Sequence, residues 1–238
     1  MRQRIGHHEV VEARERARSL VPFRDRRAAG RLLADALREL DVVAATPRVV
    51  VVGLARGGVE VAAEVARALG APLEALAVRK IRHPWQPEYG IGAVAPGGVV
   101  YLRGRDGLTE EEVARAQERA AAEADELDAR LHRGRPRVPI EGSVCILVDD
   151  GLATGGTMAA AVRWARAAGA ARVVVAVPVG AADTCVAFER EGLVDALVCL
   201  VAPAAFGAVG FWYEDFHQLT DEDVRALLAS APTGAPST

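Results

Sequence analysis

The 238-residue chain is predicted to fold as an α/β protein, a mostly parallel sheet with helices on both faces. Two observations predict it. Short β-branched runs such as "RVVVVG" (48–53) and "RVVVAVP" (172–178) lack polar alternation, as expected of strands buried on both faces. Segments with apolar residues at helical spacing alternate with these runs. No internal repeat and no clear linker interrupts the pattern, so residues 23–230 are expected to form a single domain.

Residues 1–22 are charged without a strong apolar face and are expected to be a mobile arm or surface helix. Between Arg24 and Leu40, the residues Ala28, Leu32, Leu33, Ala36 and Leu37 have helical spacing. After the strand at 48–53, "GGVEVAAEVARALG" predicts a helix closing on Gly70, and "LEALAVRK" (73–80) a strand. "IRHPWQPEYG" (81–90) carries two prolines and predicts a mobile loop. "IGAVAPGGVVYL" (91–102) predicts a hairpin turning at Pro96–Gly98. Thr109 is positioned to cap an inserted helix over 109–132, with three glutamates in its first turn. A strand at 143–150, a helix to Gly169, a strand at 172–178, a helix at 183–191, a strand at 196–203 and a helix at 220–229 follow. The tail 231–238 is expected to be disordered.

Composition bounds the function. The net charge of -3 argues against a nucleic-acid partner, and any basic function must be local. No apolar stretch nears the ~18 residues of a membrane span, and no signal-peptide pattern opens the sequence. Cys145, Cys185 and Cys199 are widely spaced among apolar residues, which predicts buried free thiols. A cytoplasmic protein with a small-molecule partner is expected.

The informative stretch is "LVDDGLATGGT" (147–157). Asp149 and Asp150 close a buried strand, where open α/β sheets bind ligands. Adjacent carboxylates repel unless they meet hydrogen-bond donors or a cation, and a sugar cis-diol offers two hydroxyl donors. The following turn leads into a helix whose free N–H groups and positive end suit a phosphate. Thr154 and Thr157 add hydroxyls, while Gly155 and Gly156 let the backbone approach. No lysine follows the glycines, so this is not a Walker loop. A diol reader joined to a phosphate cradle describes a ribose 5-phosphate site. The bland reading is a strand–turn–helix with a hydrated acidic pair.

This stretch resembles the phosphoribosyl-pyrophosphate (PRPP) motif of type I phosphoribosyltransferases, most of all that of the adenine enzymes. The resemblance implies that Asp149 and Asp150 hold the ribose hydroxyls, and that Ala153, Thr154, Gly155, Gly156 and Thr157 hold the 5-phosphate. "GLARGGVEVA" (53–62) is similar to the family's pyrophosphate loop. It implies pyrophosphate contacts from Arg56, Gly57 and Gly58 and a cis peptide at Ala55–Arg56. Arg79 and Lys80 match the basic strand end that also contacts pyrophosphate, and Arg82 and His83 are candidates to assist. "EYG" at 88–90 resembles a segment of the adenine enzyme's mobile loop, which implies Glu88 as the acid/base, with Arg56 and Lys80 as further catalytic groups. The implied cofactor is Mg²⁺ held through substrate and water, with no direct protein ligand. The implied partners are PRPP and a nitrogenous base, and a homodimer is compatible with the family. Two departures stand out. Ala153 occupies a position where enzymes acting on oxo-purines carry Asp, and 204–216 matches no base-binding segment. Trp85, Tyr89, Phe206, Phe211, Trp212 and Tyr213 are candidates to stack on a base. A non-catalytic sensor of PRPP or nucleotide is the second reading, and a phosphatase or phosphorylase acting on ribose phosphate the third.

Overall fold

The computed structural model describes residues 22–44 and 48–231. Apart from Pro22 and Ala231, the expected arm and tail lie outside the described residues. Asp25 starts helix α1 (Arg26–Arg38), its carboxylate accepting from the Ala28 N–H at 2.6 Å. A short helix α2 (Asp41–Ala44) follows. Strands β1 (Val49–Leu54), β2 (Leu73–Leu76), β6 (Val144–Val148), β7 (Arg172–Val179) and β8 (Ala196–Val201) form one sheet in the order β2-β1-β6-β7-β8. Every pairing in it is parallel. Helix α3 (Gly57–Leu69) ends on Gly70, in the left-handed conformation at φ 62°. Helices α5 (Gly156–Ala167), α6 (Ala182–Arg190) and α7 (Asp221–Ser230) complete the connections.

The strands are apolar throughout because both sheet faces are covered. Val51, Ile146, Val148, Val174 and Ala176 pack on one side with Leu33, Leu37 and Val61 from α1 and α3. Val50, Val52, Cys145, Leu147, Val173 and Val175 pack on the other with Met158, Val162 and Phe188 from α5 and α6. The three cysteines are buried and form no disulfide.

The stretch 73–90 departs from expectation. The predicted strand at 73–80 is two strands in two sheets: β2 stops at Leu76, and β3 (Arg79–His83) pairs antiparallel with β4 (Gln86–Ala95). The predicted loop 81–90 is therefore mostly a hairpin, turning at Pro84–Trp85. The prolines are accommodated because the pairing slips at Arg82 and leaves few ladder positions around Pro87. β4 continues through the expected turn into β5 (Val99–Leu102). The resulting three-stranded sheet is backed by α4 (Glu110–Leu131), the inserted helix, through Ile81, Ile91, Val94, Val113 and Ala120. Thr109 and Glu112 form the capping box that starts α4.

Candidate active site

Strand order reverses between β1 and β6. Open α/β sheets bind ligands in the crevice beyond such a switch point. The loops leaving β1 (55–58) and β6 (149–155) flank this crevice. They approach so closely that a side chain at 58 would strike backbone and one at 57 would have to push the Asp150 carboxylate aside. A Cβ on Gly57 would collide with the Asp150 carboxylate, and one on Gly58 would stand 2.6 Å from the Val148 carbonyl oxygen and 2.8 Å from the Asp149 Cα. The Ala55–Arg56 peptide is cis, as expected.

The acidic pair is tightly held. Asp149 Oδ1 accepts from the Asp150 N–H at 2.9 Å. Arg26 Nε donates to Asp150 Oδ2 at 2.9 Å, and its Nη1 donates to the His217 carbonyl at 2.7 Å. The Arg26 guanidinium also lies 3.9 Å from the centre of the Phe216 ring. Tyr213 Oη donates to the Asp150 carbonyl at 2.6 Å. Burial, then the Asp150 charge, pushes the Asp149 carboxyl well above the usual aspartate range, with Arg26 and Lys80 opposing. Burial raises Asp150 as well, and Arg26 opposes it. A desolvated pair in this state gains from hydroxyl donors or a cation. Among the described residues no group of three His, Cys, Asp or Glu side chains converges as metal ligands.

The cradle is built by the start of α5. Gly155 takes φ 77° and gives the helix no side-chain cap, so its first N–H groups are left for a ligand. A Cβ on Gly155 would meet the Phe188 ring at 2.7 Å. Thr184 Oγ1 donates to the Ala153 carbonyl at 2.6 Å and ties this loop to α6. Thr154 and Thr157 share a cleft of about 130 Å³ with Lys80, Glu88, Tyr89 and Arg103. Glu88 thus stands across from the cradle, on β4, although Asp149 and Arg56 do not line that cleft.

Arg56 lies on the other side of the crevice, its Nη1 3.6 Å from Asp221 Oδ1 at the start of α7. Arg79 is half-buried. Burial lowers its pKa, Glu123 opposes, and Arg56 and Arg130 add to the lowering. Two expected helpers are elsewhere. His83 is buried, its Nδ1 accepting from the Trp85 N–H at 3.2 Å to hold the hairpin turn. Arg82 donates to the Pro87 carbonyl and faces a separate cavity between the hairpin and α4.

Sequence reasoning missed Arg26, Arg130 and Asp221, and it named Tyr213 only as a candidate to stack on a base, whereas its hydroxyl holds the Asp150 carbonyl. Arg26 left a signal: it sits on the buried stripe of α1 with Ala29, Gly30, Leu33 and Leu37, where an unpaired charge is not tolerated. Among the aromatic candidates, Phe206 stacks on Trp212 and Tyr213 on Phe216, while Trp85 and Phe211 are 74% and 78% exposed.

A profile of the phosphoribosyl transferase domain matches residues 25–195. The chain belongs to this family. It is 44% identical, over 220 residues, to a Mycobacterium tuberculosis protein named "Putative phosphoribosyl transferase Rv0571c". That match covers 88% of this chain and 47% of the relative, so the chain spans about half the length of the curated relatives it matches. The crystal structure of TT1426 from Thermus thermophilus superposes with a TM-score of 0.73 at 42% identity, covering 89% of this chain and 99% of that one. A phosphoribosyltransferase fold is thus shared over nearly the whole described chain. No described helix is long and apolar enough to cross a membrane.

Proposed function

We propose that the protein is a Mg²⁺-dependent phosphoribosyltransferase that moves ribose 5-phosphate from PRPP to a nitrogenous base and releases pyrophosphate. The observation that carries this reading is the meeting of the two loops. Gly57 and Gly58 lie against the Asp149–Asp150 pair, which opens beside an uncapped helix start. PRPP presents a diol, a 5-phosphate and a pyrophosphate, one group for each of these parts: the acidic pair, the helix start and the glycine loop with its arginine. In this reading Asp149 and Asp150 accept from the ribose hydroxyls. Ala153 through Thr157 hold the 5-phosphate, and Arg56, Gly57, Gly58, Arg79 and Lys80 hold the pyrophosphate.

The chemistry is displacement at C1. The bond to pyrophosphate breaks, a bond to nitrogen forms, and negative charge grows on the leaving oxygen. Arg56 and Lys80 stabilise that charge because they are in place before it develops. The hard oxygen donors of the acidic pair fit Mg²⁺ through water, consistent with an ion that keeps much of its hydration shell. When bound with substrate, Mg²⁺ supplies further neutralisation of the pyrophosphate. Glu88 accepts the proton that the attacking nitrogen loses. The β3–β4 hairpin that carries Glu88 covers the cradle and limits water, which would otherwise hydrolyse the donor.

Incubation with PRPP, Mg²⁺ and a panel of purine and pyrimidine bases, with pyrophosphate release as the readout, tests the proposal. Base-dependent release supports it. Tight PRPP binding without release for any base overturns catalysis and leaves a sensor.

A further inference from the structure

Beside the β1 loop stands a cation that the PRPP-like motifs do not include. Arg56 from the β1 loop and Arg130 from the last turn of α4 converge on one carboxylate, Asp221. Arg130 Nε donates to Asp221 Oδ2 at 2.8 Å, and Arg56 Nη1 approaches Oδ1 at 3.6 Å. Arg79 is close enough to feel Arg56, Arg130 and Asp221 electrostatically. Glu126 also meets Arg130, at 2.8 Å, but its side chain is 73% exposed. Asp221 is the better shielded of the two, with 20% of its side chain exposed.

A carboxylate that gives one oxygen to each of two guanidinium groups occupies them as two oxygens of a phosphate would. Asp221 carries a single charge, and only its contact with Arg130 has hydrogen-bond length, so Arg56 retains unused donors. Asp221 is not needed to start its own helix, because Thr220 and Asp223 form the capping box of α7. Its surroundings therefore assign it to the arginines.

We propose that Arg130 is a further anion-binding residue of this site, joining Arg56 and Arg79, and that Asp221 is an internal competitor displaced by the incoming pyrophosphate group. The inference rests on the phosphoribosyltransferase reading above. It makes α4, the inserted helix, part of the binding machinery, and it makes α7 a brake on ligand entry.

Calorimetric titration with inorganic pyrophosphate and Mg²⁺ separates this from a plain ion pair that ties α4 to α7. R130A is expected to weaken pyrophosphate binding at least ten-fold, and D221N to tighten it at least three-fold. A structural tie would weaken binding in both variants, so the opposite signs are diagnostic. Ribose 5-phosphate, titrated in parallel, reads the acidic pair and the cradle without the pyrophosphate groups and is expected to bind the unaltered protein, R130A and D221N equally. Arg130 is partly exposed, so both variants are expected to fold, and circular dichroism checks this. R130K, which keeps the charge, is a second substitution at Arg130 and should recover most of the affinity. Weaker binding by D221N, or unchanged binding by R130A and R130K, overturns the inference alone. Failure of the unaltered protein to bind both pyrophosphate and PRPP overturns the phosphoribosyltransferase reading together with it.

Discussion

Asp149 and Asp150 are adjacent, yet their replacement by Asn is expected to move stability in opposite directions. Asp150 is the partner of a buried cation: Arg26 is 5% exposed and donates to it at 2.9 Å. Asp150→Asn keeps an acceptor oxygen but removes the charge, leaving the guanidinium with a carbonyl and a ring face. The loss is that of a charge-assisted hydrogen bond to a buried cation, at most about 1.5–3 kcal/mol, because burial raises Asp150 too and relief of that burial offsets part of it. For a chain of this size that lowers the melting temperature by at most roughly 3–12 °C. Asp149 has no such cation bonded to it and is disfavoured by burial and by its neighbour. Its folded-state pKa is raised, so its ionised form opposes folding. That penalty is absent below the ordinary value of 3.8, develops as the pH rises from there to the folded-state pKa, and is complete above it. Asp149→Asn therefore stabilises the ligand-free protein at neutral pH, by about 0.5–2 kcal/mol, and has no such effect in acid. Both changes together are expected to weaken PRPP binding ten-fold or more, because each lost charge-assisted bond is worth ~1.5–3 kcal/mol. Scanning calorimetry at neutral pH in phosphate-free buffer, followed by titration with PRPP, makes the measurement. Destabilisation by Asp149→Asn, or unchanged PRPP affinity in the double variant, would refute the reasoning.

The other predictions concern separate parts of the molecule. Glu88→Gln is expected to lower kcat ~10²-fold or more, the range of general acid–base catalysis, with PRPP affinity within about three-fold; near-normal kcat on the true acceptor sinks the base assignment. Crystals grown with sulfate or phosphate should hold an anion against the N–H groups of 154–157, and a side chain filling that space would remove the cradle. At the end of α4, buried Glu74 meets His132 Nε2 at 2.5 Å and accepts from the Val138 N–H at 2.6 Å. Burial pushes Glu74 up, but those bonds outweigh it and lower its pKa below 4.5; burial pushes His132 down, but Glu74 outweighs it and raises the pKa above 6.5. The Glu74 contribution is lost as pH falls through its lowered folded value, and the His132 contribution as pH rises through its raised one. The stability difference between the unaltered protein and His132→Gln should therefore be greatest between pH 4.5 and 6.5 and shrink on either side; a difference flat across pH 4–9 refutes the coupling.

What could be read from the sequence was what local pattern encodes. The parallel strands announce themselves because burial on both faces forces unbroken apolar runs, and the α4 start because Thr109 and Glu112 are three residues apart. The 149–157 loop was legible because its acidic pair and its glycines are contiguous. The β3–β4 hairpin was not. Its strands are polar at Arg82, Gln86 and Glu88, and they are held by a sheet and a helix that come later in the chain. Pro84 and Pro87 read locally as loop, although only the first lies in the turn. The partners of the site were hidden by distance. Arg26 and Asp150 are 124 residues apart and Arg130 and Asp221 are 91 apart, so no window of sequence holds either pair.

Those two distant pairs share a logic. Each places a countercharge from one end of the chain on a group that the proposed function needs ionised and fixed. Arg26 from α1 steadies the Asp150 carboxylate, and Asp221 from α7 occupies Arg56 and Arg130. The pairs differ in what a ligand does to them. Arg26 is buried and bonded on three sides, by a carboxylate, a carbonyl and a ring, so it stays when a diol arrives. Asp221 spans two partly exposed arginines, with hydrogen-bond length to only one of them, so a group with more charge and more oxygens can replace it. The first pair preorganises the acidic half of the crevice, and the second keeps the basic half from collapsing while it is empty. On that basis the ligand-free crevice is already close to its binding geometry on the Asp side. If Asp221 is displaced as proposed, the rearrangement on binding is concentrated where α4 and α7 meet the β1 loop.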